Sequence, residues 1–492
     1  MASPSLFWNG IDGDTGEPLF SPTTPRELAA LALAEKVDPA EIERLARWRE
    51  QNEEHRQLRE GDPGDLAQAG WGVIFASDDP AAPGVREALR PLLEHRQAQA
   101  TRVHAHYYQE YFGAAGYRRG ESKLQFLARF QVGPGAADPD RMPYYLLIVG
   151  DPGTIPYGFQ YQLDVQYAVG RICFDTVEEY AAYARSVVAA ETSPPSRPRR
   201  AVLFAPRHPG DAATDLSATG LAAPLAAWLA DRYPGWDIAT AFGEGATKAR
   251  LGALLGGAEE SALVFTAGHG LGYGSGSPLQ RKQQGALVCQ DFPGMLRCQG
   301  GVAPEYRFAA DDVGDDARIH GLVTFHFACY SAGAPAMSDF PAKPGEPPRP
   351  VAPQPFVSRL SQRLVGHPRG GALAVVGHVE KAWQLSIDWP GAGRSIQAFE
   401  DAMDRLLAGF PVGYAMEPFG ERYAELSSDL SEELEVTRYG GTVDDDVVAR
   451  LWSGRNDSRN YAVVGDPAVR LSVPPEPIEE EEPDVMRGIS FS

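Results

Sequence analysis

His269 and Cys329 each stand where an uncharged, strand-like run comes to a stop. The run LVFTAGHG covers residues 263–270, and LVTFHFACYSAG covers residues 322–333. The chain holds only ten histidines and four cysteines, so one of each at the end of such a run asks for a chemical reason. A thiolate is a strong nucleophile, but a free cysteine is mostly protonated near neutral pH. An imidazole within hydrogen-bond reach takes that proton and later gives it to a leaving amine. The attacked carbonyl becomes an oxyanion that needs fixed N–H donors. Gly270 supplies one candidate, since a backbone without Cβ approaches a substrate closely, and the N–H of Cys329 supplies the other. Taken singly, a buried cysteine reads as a small hydrophobe; the joint pattern favours chemistry.

The elements that must position this pair alternate in type. WGVIFAS at 71–77, YYLLIVG at 144–150, AVLFAP at 201–206, DIATAF at 237–242 and GALAVVG at 371–377 read as strands, with amphipathic helical stretches between them. Uncharged strands alternating with helices of 10–15 residues predict an α/β fold, a mostly parallel sheet with helices on both faces. Ligands of such sheets sit at the carboxyl ends of the strands, where both His269 and Cys329 fall. The predicted organisation is an N-terminal helical extension over 1–70 and a first α/β subdomain over 71–196. A catalytic subdomain follows over 197–474, and an acidic, disordered tail covers 475–492. Two charged helical patterns, residues 25–36 and 39–60, read the extension as a solvated face or an interaction arm.

A block ending in His-Gly followed by one ending in Ala-Cys resembles the signature of the caspase-like cysteine peptidases, the group of caspases, metacaspases, legumains and gingipains. Cys329 follows His269 by 60 positions (329 − 269), against about 50 in caspases, and Phe327 stands where caspases have Gln. The likeness is nearest to the gingipain family. Segments 144–188, 370–383 and 460–471 are similar to parts of that family's peptidase domain, and the resemblance spans roughly residues 71–472. It implies a caspase-like sandwich fold, a His269–Cys329 dyad and cleavage of protein or peptide substrates. Some relatives hold calcium, but helix capping and solvation account better for the acidic residues here, and no cofactor or metal is expected.

The surroundings add weaker candidates. In caspase-like enzymes the loop after the first catalytic strand helps form the pocket for the residue before the cut; here that loop is 207–220, with Asp211 and Asp215. An anion there would select Arg or Lys, and either aspartate can instead orient His269 as a third member. Trp383 is a candidate pocket wall. Residues 334–355, rich in proline, predict an unstructured loop beside Cys329, with Lys343 and Arg349 as sites of activating cleavage. Asp311, Asp312, Asp315 and Asp316 cluster without the order of an EF-hand. Cys329-Tyr330-Ser331-Ala332-Gly333 is GxSxG lacking its first glycine, which leaves Ser331 a weaker nucleophile candidate.

Bulk properties set limits. A formal net charge of −21 argues against a broad nucleic-acid footprint. The first residues lack the basic and apolar regions of a signal peptide, and no run approaches a membrane span. Four dispersed cysteines suit reduced thiols. These point to a cytoplasmic protein with no membrane and no nucleic-acid partner. The expected function is a cysteine endopeptidase cutting after basic residues, held as a zymogen until a protease or regulatory partner releases it, in stress, cell death or antiviral defence. The alternatives are a catalytically silent caspase-like scaffold or a serine hydrolase.

Overall fold

The computed structural model describes residues 6–20, 22–34, 58–295, 297–298, 300–340, 346–389 and 393–475. A ten-stranded sheet organises the chain. We number its strands in chain order: β1 Trp71–Phe75, β2 Tyr108–Tyr111, β3 Tyr145–Val149, β4 Ala168–Ile172, β5 Arg200–Ala205, β6 Asp237–Phe242, β7 Leu263–Ala267, β8 Val323–Phe327, β9 Ala374–His378 and β10 Tyr461–Gly465. Their spatial order is β2-β1-β3-β4-β10-β9-β8-β7-β5-β6. Every neighbouring pair is parallel except β9–β10, which is antiparallel. The α/β expectation therefore holds, with one reversal at the centre: β5–β9 run against β1–β4 and β10.

Helices on both faces explain why the inner strands carry so little polarity. All residues of β1, β3, β4, β7, β8, β9 and β10 are buried, which is why they read as continuous apolar runs instead of alternating ones. The edge strands β2 and β6 are partly exposed, and β5 is so only at its first residue, Arg200. The two predicted subdomains share this sheet, because β10 leaves the second and pairs with β4 of the first. Asp466, just past β10, ties the junction: it accepts from Trp71 Nε1 at 2.9 Å and from Arg96 Nε at 2.7 Å, all three buried.

Two sequence expectations change. Residues 6–12 are an extended strap onto which residues 16–20 fold back, not part of a helical arm, and the helix Pro25–Ala34 buries Leu28 and Leu31 against the helix Asp445–Arg459. The second helical pattern lies mostly in residues 35–57, outside the described residues, as does the tail from 476. The segment 334–355 is anchored: Gly333–Ala334 pairs with Phe356–Val357 at its base. Phe340 is buried against Trp383 and Trp452. Phe340, with the bonds of Ser338 and Asp339 to Glu380 and the Met337–Pro350 bridge, holds down the described part of a stretch whose proline content suggested no such anchoring.

Candidate functional site

β7 and β8 are adjacent and parallel, with Ala267 opposite Phe327. His269 and Cys329 each come two residues after their strand's end, so equal register delivers both to one edge. Gly270 is pressed onto the nucleophile turn: a Cβ added there would lie 2.0 Å from the Cys329 carbonyl oxygen and 3.0 Å from its nitrogen. Tyr330, the next residue, is buried with φ of +59°. A bulky side chain in the left-handed region marks a turn held by its surroundings; Tyr330 N–H donates to Glu380 O at 2.8 Å.

Asp211 caps the helix Ala212–Leu216, and its carboxylate accepts from Ala213 N at 3.0 Å and Thr214 Oγ1 at 3.0 Å. The same carboxylate meets His269 Nε2 at 2.5 Å. Burial pushes the Asp211 carboxyl up, but His269, which bonds it directly, and the hydrogen bond from Thr214 hold it well below the usual carboxylate range. With Nε2–H donating to Asp211, the neutral imidazole keeps Nδ1 as its bare acceptor. That Nδ1 is buried and has no hydrogen-bond partner among the described residues. His208 lies parallel to His269 with ring centroids 6.2 Å apart. His208, Asp211 and His269 stand near enough to share a cation. However, tetrahedral zinc with bonds of about 2.0 Å holds its ligand atoms roughly 3.3 Å apart, and 2.5 Å is a direct hydrogen bond.

Cys329 is wholly buried. Its Sγ accepts from Ala382 N at 3.2 Å. Burial pushes its thiol up to about 12, against the pull of the Ala382 N–H and of Lys381. A thiol so placed is protonated.

The cover over Cys329 is the strap, which the sequence reading missed. Trp8 and Asn9 pair antiparallel with Trp383 and Ala382, while Ile11 and Asp12 pair parallel with Leu271 and Gly272. Gly10 stands between, and a Cβ on it would lie 3.1 Å from Cys329 Sγ and 2.7 Å from Leu19 Cδ1. Pairs of two residues leave no periodicity to detect; the available signal was an aromatic-and-glycine stretch, FWNG, ahead of the first helix.

The remaining candidates are distributed as follows. Asp215 points away to an ion pair with Arg207 at the surface, and Asp211 is spent on His269, so neither forms a pocket floor for a basic side chain. Trp383 is buried under Trp8, with ring centroids 4.5 Å apart, and under Phe340. Ser331 is no nucleophile: its Oγ donates to Ala328 O at 2.7 Å and accepts from His378 N at 2.9 Å. Asp312 accepts from Ala309 N and pairs with Lys248, and Asp315 pairs with Arg363. Asp311 is exposed, as is Asp316. Arg349 is exposed, and Lys343 lies outside the described residues.

No family model and no curated protein matches this sequence. Among solved structures the chain is similar to the Arg specific cysteine proteinase gingipain R, at 12% identity and TM-score 0.43, over 84% of this chain and 80% of that one. It is similar to a structure named only as a protease, at 11% and 0.46 over 83% and 80%. A third is the complex of Porphyromonas gingivalis RgpB pro- and mature domains, at 12% and 0.41 over 82% and 80%.

Proposed function

We propose that this chain is a cysteine endopeptidase in which Cys329 is the nucleophile, His269 the acid and base, and Asp211 the residue that orients His269. The observation carrying this reading is the buried Asp211–His269 hydrogen bond at the sheet edge shared with Cys329. It fixes the tautomer in which Nδ1 is free to take the thiol proton. Sγ then attacks the substrate carbonyl, with the N–H groups of Gly270 and Cys329 as donors to the oxyanion. The imidazolium protonates the leaving amine, and water hydrolyses the thioester and restores the thiol.

The strap over Cys329 supports a restrained form. While it is seated, substrate is excluded and burial keeps the thiol protonated, so activity requires the strap to be cut or displaced. The expected preference for Arg or Lys rested on Asp211 and Asp215. With one engaged by His269 and the other by Arg207, neither supports that preference.

The test is hydrolysis of casein by the full chain, the Cys329→Ala variant and the His269→Ala variant. Loss of cleavage in both variants, with unchanged circular dichroism, is expected. Equal activity in Cys329→Ala would assign the hydrolysis to another nucleophile, and no activity in any form after limited proteolysis of the strap favours the silent scaffold.

A further inference from the structure

Peptide-reading grooves pair with the backbone of an extended segment and take its side chains into pockets. Residues 7–12 are such a segment, and Cys329 lies at its middle. Phe7 N–H donates to Gln384 Oε1 at 2.9 Å on one side, and Ile11 N–H donates to Gly270 O at 3.2 Å on the other. Between them the chain changes partner, from the Ala382–Trp383 edge to the Leu271–Gly272 edge. The change falls at Gly10, whose missing side chain lets the backbone reach Cys329 Sγ.

The side chain ahead of this point has a receptacle. Asn9 is buried, and its Nδ2 donates to Ser217 Oγ at 2.9 Å. Ser217 is itself wholly buried and opens a π-helical turn, Ser217–Ala222, directly after the helix capped by Asp211. π-turns inside helices are uncommon and occur often at functional positions. One residue earlier, Trp8 packs edge-on against Trp383. The carbonyl of Gly10 is taken up by Leu19 N–H at 3.0 Å, and Asn9, the residue before it, pairs with Ala382, whose N–H reaches Cys329 Sγ.

We propose that the groove selects asparagine on the acyl side of the bond it cuts, with Ser217 as the specificity-determining residue, and that Asn9–Gly10 is the first bond presented to Cys329. This rests on the peptidase reading above. The step balances without an added reagent other than water. Sγ forms a bond to the Asn9 carbonyl carbon as the C–N bond to Gly10 breaks, and the thiol proton leaves through His269 on the Gly10 amine. Water then converts the thioester to the Asn9 carboxylate and returns the proton to the thiol. A carboxamide suits the receptacle because it offers an N–H to Ser217 Oγ at a buried position. A carboxylate would bring a charge and no donor. Arg or Lys would bring a cation to a buried position where Ser217 offers no charge, and unpaired buried charges are costly.

The experiment follows the full-length chain by intact mass and N-terminal sequencing. In parallel it measures kcat/KM on reporters Phe-Trp-X with X as Asn, Ala, Asp or Arg, and casein cleavage reports peptidase activity of any specificity. Expected are a Cys329-dependent product beginning at Gly10, at least tenfold slower release in Asn9→Ala, and preference for X as Asn. Ser217→Ala should lower the Asn-to-Ala ratio about threefold to tenfold, the worth of one hydrogen bond, and Ser217→Thr, which keeps a hydroxyl, should retain more of it. Cys329-dependent casein cleavage with Arg or Asp preferred overturns the inference and leaves the peptidase standing. So does release of residues 1–9 at equal rate from Asn9→Ala. No cleavage of casein or any reporter overturns both.

Discussion

The backbone of Gly270 rests against that of Cys329 so closely that a methyl group at position 270 would sit 2.0 Å from the Cys329 carbonyl oxygen. No rotamer relieves this, since both partners are main chain. Gly270→Ala must therefore shift the strand ends that carry His269 and Cys329. We expect about 1–3 kcal/mol of destabilisation from overpacking and a fall of about a hundredfold in kcat, because displacements of about 1 Å at a reacting group cost that much. Denaturant titration and casein hydrolysis check it; a fully active Gly270→Ala would remove Gly270 from the oxyanion role.

Asp211→Asn keeps the shape and removes the charge that sets the His269 tautomer. A drop in kcat of about 10²–10⁴ is expected by analogy with triads of this logic. The same variant has a pH signature. The Asp211 carboxyl is lowered on folding, so its stabilisation is full above the unfolded value of about 4 and is lost as pH falls through the still lower folded value. The Tm difference between wild type and Asp211→Asn should therefore shrink as pH falls below about 4.

Cys329 should resist alkylation while the strap is seated, because burial holds the thiol up to about 12 and excludes the reagent. Trp8→Ala removes the contact with Trp383 that seats the strap. We expect iodoacetamide to label Cys329 at pH 7.5 at least about tenfold faster in that variant, as fits thiolate-controlled reactivity. Peptide mapping separates Cys329 from the more accessible Cys298. Equal labelling would mean that the strap does not guard the thiol.

Ser331→Ala should cost stability and not chemistry. Removing its Oγ strips the buried His378 N–H of an acceptor, worth about 1–3 kcal/mol. Thermal unfolding should show a lower Tm, with Cys329 labelling in a Trp8→Ala background unchanged.

Most inner strands and the shared edge of His269 and Cys329 were legible because those strands carry no charge and end at small residues; β4, which buries Arg171, was not read as a strand. Asp211 was legible only as a choice: a loop aspartate can floor a pocket, cap a helix or orient a histidine, and tertiary placement made it do the last two. The strap was not legible, since two-residue pairings such as Trp8–Asn9 with Ala382–Trp383 leave no pattern of period 2. The held-down loop failed for a similar reason. Composition weighs residues equally, whereas one buried Phe340 and the bonds to Glu380 outweigh a run of prolines.

The placement of β10 has a consequence for timing. This strand, residues 461–465, fills the gap between β4 and β9, so a chain growing from its N-terminus makes both halves of the sheet long before their junction. Until residue 465 has been added, β9, the strand directly beside the one that leads to Cys329, presents an open edge. Long-range pairing of this kind is slow to form and is paid for in loop-closure entropy. The groove is thus completed among the last events of folding, when residues 6–24 have long been available to fill it. A nascent chain passes from unfinished to self-covered without an interval in which an uncovered thiol meets other proteins.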